Sequence, residues 1–242
     1  MMAATQDESA MGIDPGEIAD RLAQVRQRID DAARAAGRAP RDVRLVAISK
    51  FQPLVAVQAA VAAGQVDFGE NRAQELVSKL PEAPDGVRWH FVGRLQRNKA
   101  RLVVGEVDLI HSVDRVSLAE TVSAQAVARG IVQRVLVQVD VAEEERKGGS
   151  PPDQVLPLLQ RSAELDGVQA IGLMTIPPIA SDPAAMFERL RALRARLLPT
   201  FPQLTELSMG MSADLEVAVA SGATIVRVGT AIFGPRPRNP VM

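Results

Sequence analysis

Two kinds of hydrophobic pattern alternate along this chain. In the first, short apolar runs are rich in branched residues, as at 43–49, and such a run is typical of a strand buried on both faces. In the second, apolar residues recur every three or four positions, as at 15–36, and this spacing predicts an amphipathic helix. The apolar face of that first helix comprises Ile18, Leu22, Val25 and Ile29. Gly37 follows, where a glycine commonly ends a helix.

The alternation continues through the chain and predicts eight strands. They lie at 43–49, 66–68, 87–92, 108–112, 133–141, 168–174, 205–209 and 224–228. The helices predicted between them lie at 54–63, 73–80, 95–104, 116–129, 152–165, 184–198 and 213–221. Asp114 is expected to cap the helix at 116–129, because a short carboxylate can accept a hydrogen bond from the first helical turn.

Strands that alternate strictly with helices form a parallel sheet. Eight such units predict an α/β fold closed into a single (β/α)8 TIM-type barrel, here with an extra N-terminal helix. A doubly wound open sheet is the alternative, but no Gly-x-Gly-x-x-Gly motif follows the first strand. We accordingly predict a disordered N-terminus at 1–14, a barrel domain at 15–236 and a loose tail at 237–242.

Composition narrows the function classes. Hydrophobic residues make up 47% of the chain, enough for a large core, and a net charge of −1 offers no electrostatic footprint for nucleic acid. The absence of cysteine and the presence of only two histidines argue against disulfides, thiolate catalysis and a metal site. Neither a signal peptide nor a membrane-spanning apolar run is recognisable. We therefore expect a cytoplasmic protein that binds neither nucleic acid nor membranes.

The first predicted strand runs into Lys50, the first candidate for chemistry. Only four lysines occur among 28 basic residues, so arginine is the usual basic residue of this chain. An ammonium at the end of a buried strand is poorly solvated, and this favours the neutral amine that a nucleophile needs. A lysine whose charged head snorkels to water explains the same position without any chemistry. The residues at the other strand ends are needed to choose between the two.

The loops after the last two predicted strands favour an anion site. In a barrel the carboxyl ends of the strands form the active face, and a phosphate is commonly held after strands seven and eight. The segment 208–212 precedes a helix, and Gly229 and Thr230 follow the last strand. Helix N-termini and glycine loops present backbone amides to anions, although turn glycines and an N-cap serine are the structural alternative.

A lysine beside a phosphate cradle suggests a Schiff base with a phosphorylated carbonyl compound. Both pyridoxal 5'-phosphate (PLP) and the sugar phosphate of a class I aldolase fit this description. Arg227 lies on the last predicted strand, where it can face a pyridine nitrogen or form a salt bridge within the barrel.

Several short segments, in order over about residues 40–236, carry a more specific resemblance. They are Val-Ala-Ile-Ser-Lys at 46–50, Phe-Gly-Glu-Asn at 68–71, Trp-His-Phe-Val-Gly at 89–93, Leu-Gln-Arg-Asn-Lys at 95–99, Gly-Leu-Met at 172–174, Leu-Ser-Met-Gly-Met-Ser at 207–212 followed by Asp214, and the stretch 226–234. Together these segments resemble the YggS/PROSC family, also called the pyridoxal phosphate homeostasis proteins.

The resemblance implies a fold-type III barrel similar to that of alanine racemase, without the second β domain of that enzyme. It implies PLP on Lys50 as an internal aldimine, with Arg227 against the ring nitrogen and Asn71 near the ring. The residues that match the family's phosphate-binding positions, with Met211 beside the others, are Met211, Ser212, Gly229 and Thr230. We expect neither a metal site nor a separate catalytic residue.

Two hypotheses about activity remain open. Arginine against the ring nitrogen weakens the electron sink, and a racemase needs a second base, which is a tyrosine in alanine racemase, whereas this chain has no tyrosine. These features favour a non-catalytic carrier that buffers PLP and delivers it to apoenzymes. A monomer is expected, because the predicted barrel helices show no obvious apolar excess. A PLP-dependent amino-acid racemase is the alternative, with His90 or His111 in place of the tyrosine. Lys147, in the polar loop at 142–150, is a further hypothesis for cofactor transfer.

Overall fold

The computed structural model describes residues 14–142, 148–178 and 181–235. Within these ranges, eight parallel strands pair in sequence order and form a closed barrel. The strands are β1 (Arg44–Ile48), β2 (Asp67–Glu70), β3 (Arg88–Phe91), β4 (Leu109–Val113), β5 (Gln133–Gln138), β6 (Val168–Met174), β7 (Glu206–Ser208) and β8 (Ile225–Val228). The predicted (β/α)8 barrel is confirmed, and an open sheet is excluded because β8 pairs with β1.

A helical segment follows each strand, as the alternation predicts. The α-helices are α1 (Pro15–Ala35), α2 (Leu54–Ala62), α3 (Ala73–Lys79), α4 (Val116–Val127), α5 (Val155–Ala163), α6 (Pro183–Leu197), α7 (Leu215–Ala220) and α8 (Thr230–Phe233). Short 3-10 helices lie at Pro40–Asp42, Leu80–Glu82, Arg97–Leu102 and Pro152–Gln154.

Some elements differ from the prediction. The helix predicted at 95–104 is a 3-10 helix, Arg97–Leu102, a form that proteins use as a short connector. The strand predicted at 133–141 ends earlier, at Gln138. No helix is predicted for α8, because its four residues are too few to show a helical period. The prediction that Asp114 caps α4 is wrong: Arg115 is the N-cap, and the Asp114 carboxylate forms an ion pair with its guanidinium.

The extra N-terminal helix, α1, packs by the apolar face that its sequence predicts, and its N-cap is Asp14, a residue predicted to be disordered. The Asp14 carboxylate accepts a hydrogen bond from the Gly16 N–H at 2.8 Å. The buried side chains are Ile18, Leu22, Val25, Ile29 and Ala33. This face packs against α2, α7 and α8, and Arg28 forms an ion pair of 2.6 Å with Glu216 on α7. Helix α1 therefore covers the side of the barrel where the first and last strands meet.

Apolar side chains form two separate clusters. The larger cluster joins the helices to the strands. The smaller comprises Val46, Ile48, Leu109, Leu136, Met174 and Ile225. Val46 and Ile48 alternate along β1 with Ala47, which belongs to the larger cluster, so the two clusters occupy opposite faces of the sheet. The smaller cluster therefore fills part of the barrel interior, and polar side chains occupy the rest.

Closure places the first strand beside the last. Val46 lies opposite Arg227, and Ala47 lies opposite Val228. All strand pairs are parallel, so the carboxyl ends of all eight strands meet at one mouth of the barrel. Lys50, which follows β1, therefore lies at the same mouth as the residues that follow β8.

Some expectations concern residues outside the described ranges. These are the disordered start at 1–14, apart from Asp14, the loose tail at 237–242, and Lys147. Of the helices in the described part of the chain, none combines the length and the apolar character needed to cross a membrane.

The packing of α1 predicts that Leu22→Ala destabilises the protein. Leu22 is 0% exposed, and truncation of such a leucine leaves a cavity that lowers the free energy of unfolding by about 2–5 kcal/mol. Urea denaturation measures the change. Leu156→Ala is the matched control, because Leu156 is 43% exposed, and it should cost less than about 1 kcal/mol. Equal effects of the two substitutions would contradict the packing of α1 against the barrel.

Candidate functional site

Strand β1 ends at the mouth in a sharp turn that carries Lys50. Ser49 is fully buried, whereas Lys50 is half-buried. Phe51 has a φ of +64°, the only positive φ of a residue other than glycine in the described part of the chain. Left-handed backbone is strained for a bulky side chain and is often found at functional sites. The Arg72 guanidinium lies over the Phe51 ring, 4.8 Å from its centroid. Lys50 therefore lies in a strained turn and not at a relaxed strand end.

Asn71 lies directly after β2, at the same mouth. A Cβ at residue 93 would lie 2.1 Å from the Asn71 carbonyl oxygen, so only glycine, the residue present as Gly93, fits there. The side-chain oxygen of Asn71 is buried and has no hydrogen-bond partner among the described residues. A buried polar atom without a partner is costly and needs an explanation, such as a bound ligand or water.

The loops after β7 and β8 touch each other at the mouth. The Ser212 hydroxyl accepts a hydrogen bond from the Ala231 N–H at 3.4 Å, which links the loop before α7 to the first turn of α8. Gly229 is the N-cap of α8, and Thr230 is its first residue. A Cβ on Gly229 would lie 3.2 Å from the Ile48 carbonyl oxygen, so this loop also approaches β1 closely. The two predicted phosphate loops are therefore neighbours beside β1.

The start of α7 corrects one detail of the prediction. The helix begins at Leu215, and its N-cap is Asp214, not Ser212. The Asp214 carboxylate accepts a hydrogen bond from the Met211 N–H at 2.6 Å, so this amide is occupied and not directed at an anion. The Met211 side chain remains 38% exposed. Because Asp214 is the N-cap of α7, the Ser212 hydroxyl does not serve that helix and contacts α8 instead.

Arg227 lies on β8 and is 4% exposed. Its guanidinium donates hydrogen bonds to the Ser208 hydroxyl at 2.6 Å and to the Thr175 carbonyl oxygen at 2.9 Å. Both partners are neutral. Burial lowers the pKa of Arg227 to about 10, and the charge of Asp214 opposes this change. The guanidinium therefore remains protonated at neutral pH.

A chain of hydrogen bonds runs from Arg227 across the barrel interior. This polar relay comprises Arg227, Ser208, His111, His90 and Asp67, from β8, β7, β4, β3 and β2. The Ser208 hydroxyl lies 2.9 Å from His111 Nδ1, His111 Nε2 lies 2.9 Å from His90 Nδ1, and His90 Nε2 lies 3.1 Å from Asp67 Oδ1. Strands β4 and β7 are not neighbours in the sheet, so the contact of His111 with Ser208 crosses the interior.

The two ends of the polar relay constrain the direction of its hydrogen bonds. Arg227 can only donate, so the Ser208 hydroxyl accepts from it and has its own proton to donate to His111 Nδ1. At the other end, burial raises the pKa of Asp67, but hydrogen bonds outweigh burial and hold that pKa at about 2. Ionised Asp67 can only accept, so His90 donates to it. An arrangement in which each ring donates through Nε2 and accepts through Nδ1 satisfies every contact of the relay.

The polar relay ends at the opposite, amino-terminal end of the barrel. There Arg88 donates two hydrogen bonds to Asp67, at 2.9 and 2.8 Å, and the Arg88 side chain is 53% exposed. A cleft of about 280 Å³ opens beside this pair. Another lining residue, Arg26, is engaged with the Ala63 carbonyl oxygen at 2.9 Å. This cleft lies away from Lys50, so it is not the candidate site.

The candidate residues come together as the barrel geometry predicts, and their role as ligands stays a prediction. Those at the mouth are Lys50, Asn71, Met211, Ser212, Gly229 and Thr230, with Arg227 on β8 below them. His90 and His111 are fully buried in the interior, and all their ring nitrogens are engaged in the polar relay. Asp67 and the bridging role of Ser208 are not among the residues predicted from the sequence. A polar residue at an inward position of a strand is the signal that marks both.

Comparisons with known proteins point to one family. Residues 21–237 match the family model described as alanine racemase, N-terminal domain. A pyridoxal phosphate homeostasis protein of Aquifex aeolicus is 43% identical over 222 residues, which cover 90% of this chain and 97% of that protein. The structure of PipY from Synechococcus elongatus PCC7942, solved with PLP bound, is 40% identical and has a TM-score of 0.78 over 90% of this chain and 100% of PipY.

A more distant likeness concerns the fold alone. Alanine racemase from Streptomyces coelicolor is 21% identical, with a TM-score of 0.72. The match covers 93% of this chain but 60% of the racemase, so the racemase has a further part that this chain does not match.

The polar relay predicts the protonation of both histidines. The chain has only two, so ¹⁵N NMR can assign each ring without overlap. We expect both rings to carry their proton on Nε2 at pH 7.5. Burial lowers the pKa of His111 well below its usual range, so this ring should stay neutral where an exposed histidine titrates.

A variant at the end of the relay tests the direction of its hydrogen bonds. Asp67→Asn replaces an obligate acceptor by an amide that also donates, and it should change the ¹⁵N signals of His90. Asp153→Asn, at an exposed position, is the control and should leave both rings unchanged. A proton on Nδ1 of either ring in the wild-type protein would show that the relay runs in another direction.

Proposed function

Since this chain matches the alanine racemase N-terminal domain and belongs to the family of the pyridoxal phosphate homeostasis proteins, we propose that it binds PLP at Lys50 and buffers or delivers this cofactor without turnover. One observation carries the proposal. A single mouth holds a lysine in a strained turn, a buried arginine and two touching loops that contain glycine and serine. The related PipY has been solved with PLP bound, and it matches 90% of this chain.

The residues of the mouth fit the three parts of PLP. When bound, PLP supplies an aldehyde, a pyridine ring and a phosphate. The Lys50 amine is the nucleophile for the aldehyde, because it follows β1 at the mouth that these groups share. Asn71 offers the ring a buried side-chain oxygen that has no partner within the described residues. This orphaned acceptor supports a ligand at the mouth.

Arg227 is the residue proposed for the ring nitrogen. The Ser208 hydroxyl and the Thr175 carbonyl orient its guanidinium, and the polar relay fixes the serine in turn. The guanidinium stays protonated at neutral pH, since its pKa is about 10. A donor that keeps its own proton leaves the ring nitrogen unprotonated, so the ring withdraws electrons weakly. Arg227 therefore favours holding the cofactor over catalysis with it.

The touching loops are proposed to hold the phosphate. The Ser212 hydroxyl accepts a hydrogen bond from the Ala231 N–H and keeps its own proton for a phosphate oxygen. Gly229 and Thr230 begin α8, where backbone N–H groups meet anions. The Met211 amide is taken by Asp214, so Met211 contributes only its exposed side chain.

We propose the absence of turnover because the side chains that could act as a second base are either missing from the sequence or engaged in the barrel interior. A two-base racemase needs a second proton acceptor, and the sequence contains no tyrosine. Both histidines are 0% exposed, and their ring nitrogens are engaged by Asp67, by each other and by Ser208. Neither ring is therefore available to a ligand at the mouth. The racemase alternative is then supported only by the similarity of this fold to that of alanine racemase.

Delivery requires acceptors, and we propose that these are PLP-dependent apoenzymes. Lys50 is half-buried and not enclosed, which supports exchange of the ligand with another protein. Monomeric action and a cytoplasmic location belong to the same proposal.

Lys50→Ala should abolish covalent attachment of PLP. Wild-type protein incubated with PLP and reduced with borohydride should carry one label on the peptide that contains Lys50, as measured by mass spectrometry. Lys99→Ala is the control, because it removes another lysine to which no role in binding is assigned, and it should be labelled as the wild type is. Equal labelling of Lys50→Ala would refute the attachment site. Failure of the wild type to take up PLP would refute the cofactor and favour the aldolase hypothesis.

A carrier should transfer PLP without activating amino acids. We expect the loaded protein to restore activity to a PLP-dependent apoenzyme. We also expect it to exchange the α-proton of alanine with deuterium from D₂O no faster than free PLP does. A positioned base contributes roughly 10²-fold or more to such a step. Exchange accelerated by that factor, and lost in Lys50→Ala, would support the racemase instead.

A further inference from the structure

Lys79 is a buried lysine that the proposed PLP site does not use. It lies at the end of α3 and is 6% exposed. Its ammonium donates to the Ser49 carbonyl oxygen at 2.9 Å, to Glu70 Oε1 at 2.6 Å and to Glu75 Oε1 at 3.1 Å. An ammonium has three protons, so these acceptors match its full donor capacity. We call Ser49, Glu70, Glu75 and Lys79 the Lys79 cluster.

The Lys79 cluster holds the residues on both sides of Lys50. On one side, the Ser49 carbonyl accepts from Lys79, and the Ser49 hydroxyl donates to Glu70 Oε1 at 2.6 Å. On the other side, the Phe51 N–H donates to Glu75 Oε1 at 2.5 Å. The same buried ammonium thus reaches one neighbour of Lys50 directly and the other through Glu75.

The Lys79 cluster is not well explained as a source of folding stability. A buried ion pair commonly contributes no more to stability than apolar residues of similar volume would. Here, moreover, Glu70 Oε2 is buried without a partner among the described residues. The φ of +64° at Phe51 adds strain that surrounding contacts must hold. An arrangement that costs free energy beside a nucleophile is more readily explained by what it positions.

From this geometry we infer that Lys79 is a positioning residue for Lys50, which fixes the turn so that the lysine amine meets its ligand. The inference rests on the proposed PLP site. Arginine cannot replace Lys79, because the planar guanidinium does not match three acceptors that surround one nitrogen. Glu75 also takes part in this positioning, since its carboxylate accepts hydrogen bonds from both the Lys79 ammonium and the Phe51 amide.

The experiment needs a variant that removes the ammonium and still folds. Lys79→Met alone leaves the buried Glu70 carboxylate without its cation, so the test uses Lys79→Met combined with Glu70→Gln. Burial raises the pKa of Glu70 to about 7, with Lys79 opposing the change, so a neutral side chain at position 70 resembles a state that the wild type populates near neutral pH. Lys99→Met combined with Glu106→Gln makes the same two substitutions outside the cluster and is the control.

Two measurements follow the effect, one without PLP and one with it. In the protein without PLP, hydrogen exchange of the Phe51 amide should be roughly tenfold faster in the cluster variant, while the amide of Val135 on β5 stays protected. The dissociation constant of PLP should rise roughly tenfold, the equivalent of one lost charge-assisted hydrogen bond. The control variant should match the wild type in both.

Each outcome decides the inference. Faster exchange at Phe51 together with weaker PLP binding supports it. Unchanged exchange in a folded variant shows that Lys79 does not hold the turn and overturns it. Faster exchange with unchanged PLP affinity shows that the turn does not position Lys50 and overturns it too. If wild-type protein takes up no PLP at Lys50, the proposed function fails. The inference that rests on it then fails as well, even if hydrogen exchange shows that Lys79 holds the turn.

Discussion

Pairing of β1 with β8 closes the sheet and sets the residues that follow the first strand beside those that follow the last. Lys50 lies about 180 residues before Arg227 in the sequence, so this proximity exists only in the closed barrel. Helix α1 covers the seam by packing against α2, α7 and α8. The mouth therefore depends on a long-range contact that every strand between must help to form.

Two buried cations lie near this seam, and the protein compensates them in different ways. Lys79 has carboxylates in direct contact, at 2.6 and 3.1 Å. Arg227 has only neutral partners, and the polar relay links it through Ser208 and two histidines to Asp67 at the far end of the barrel. A relay of neutral groups orients the guanidinium without placing a carboxylate beside it. A carboxylate in direct contact would compete with the ligand proposed for Arg227.

The relay also bears on function. Alanine racemase shares the fold, but in this chain both histidines are committed to the barrel interior, and tyrosine is absent from the sequence. Among the described residues, the two histidine rings serve to orient Arg227, whereas Lys50 and the two loops lie at the mouth. This division underlies the proposal that the protein holds PLP and does not turn it over.

The sequence by itself determined the barrel, because eight strands in alternation with helices leave a parallel sheet few ways to bury both faces. It also determined which residues lie at the strand ends, among them Lys50, Asn71 and Gly229, since their positions follow from the period of each element. The exact ends of the helices were predicted less well, as the N-caps of α4 and α7 show.

Only the tertiary structure decided what the polar interior does. The contact of His111 with Ser208 joins strands three apart, and the contact of Lys79 with the Ser49 carbonyl joins a helix to a strand end. Neither leaves a periodic trace in the sequence. A hydrogen bond between two distant segments forms only when their separation is right to within a fraction of an ångström. A hydrophobic period, in contrast, depends only on which face of an element is buried.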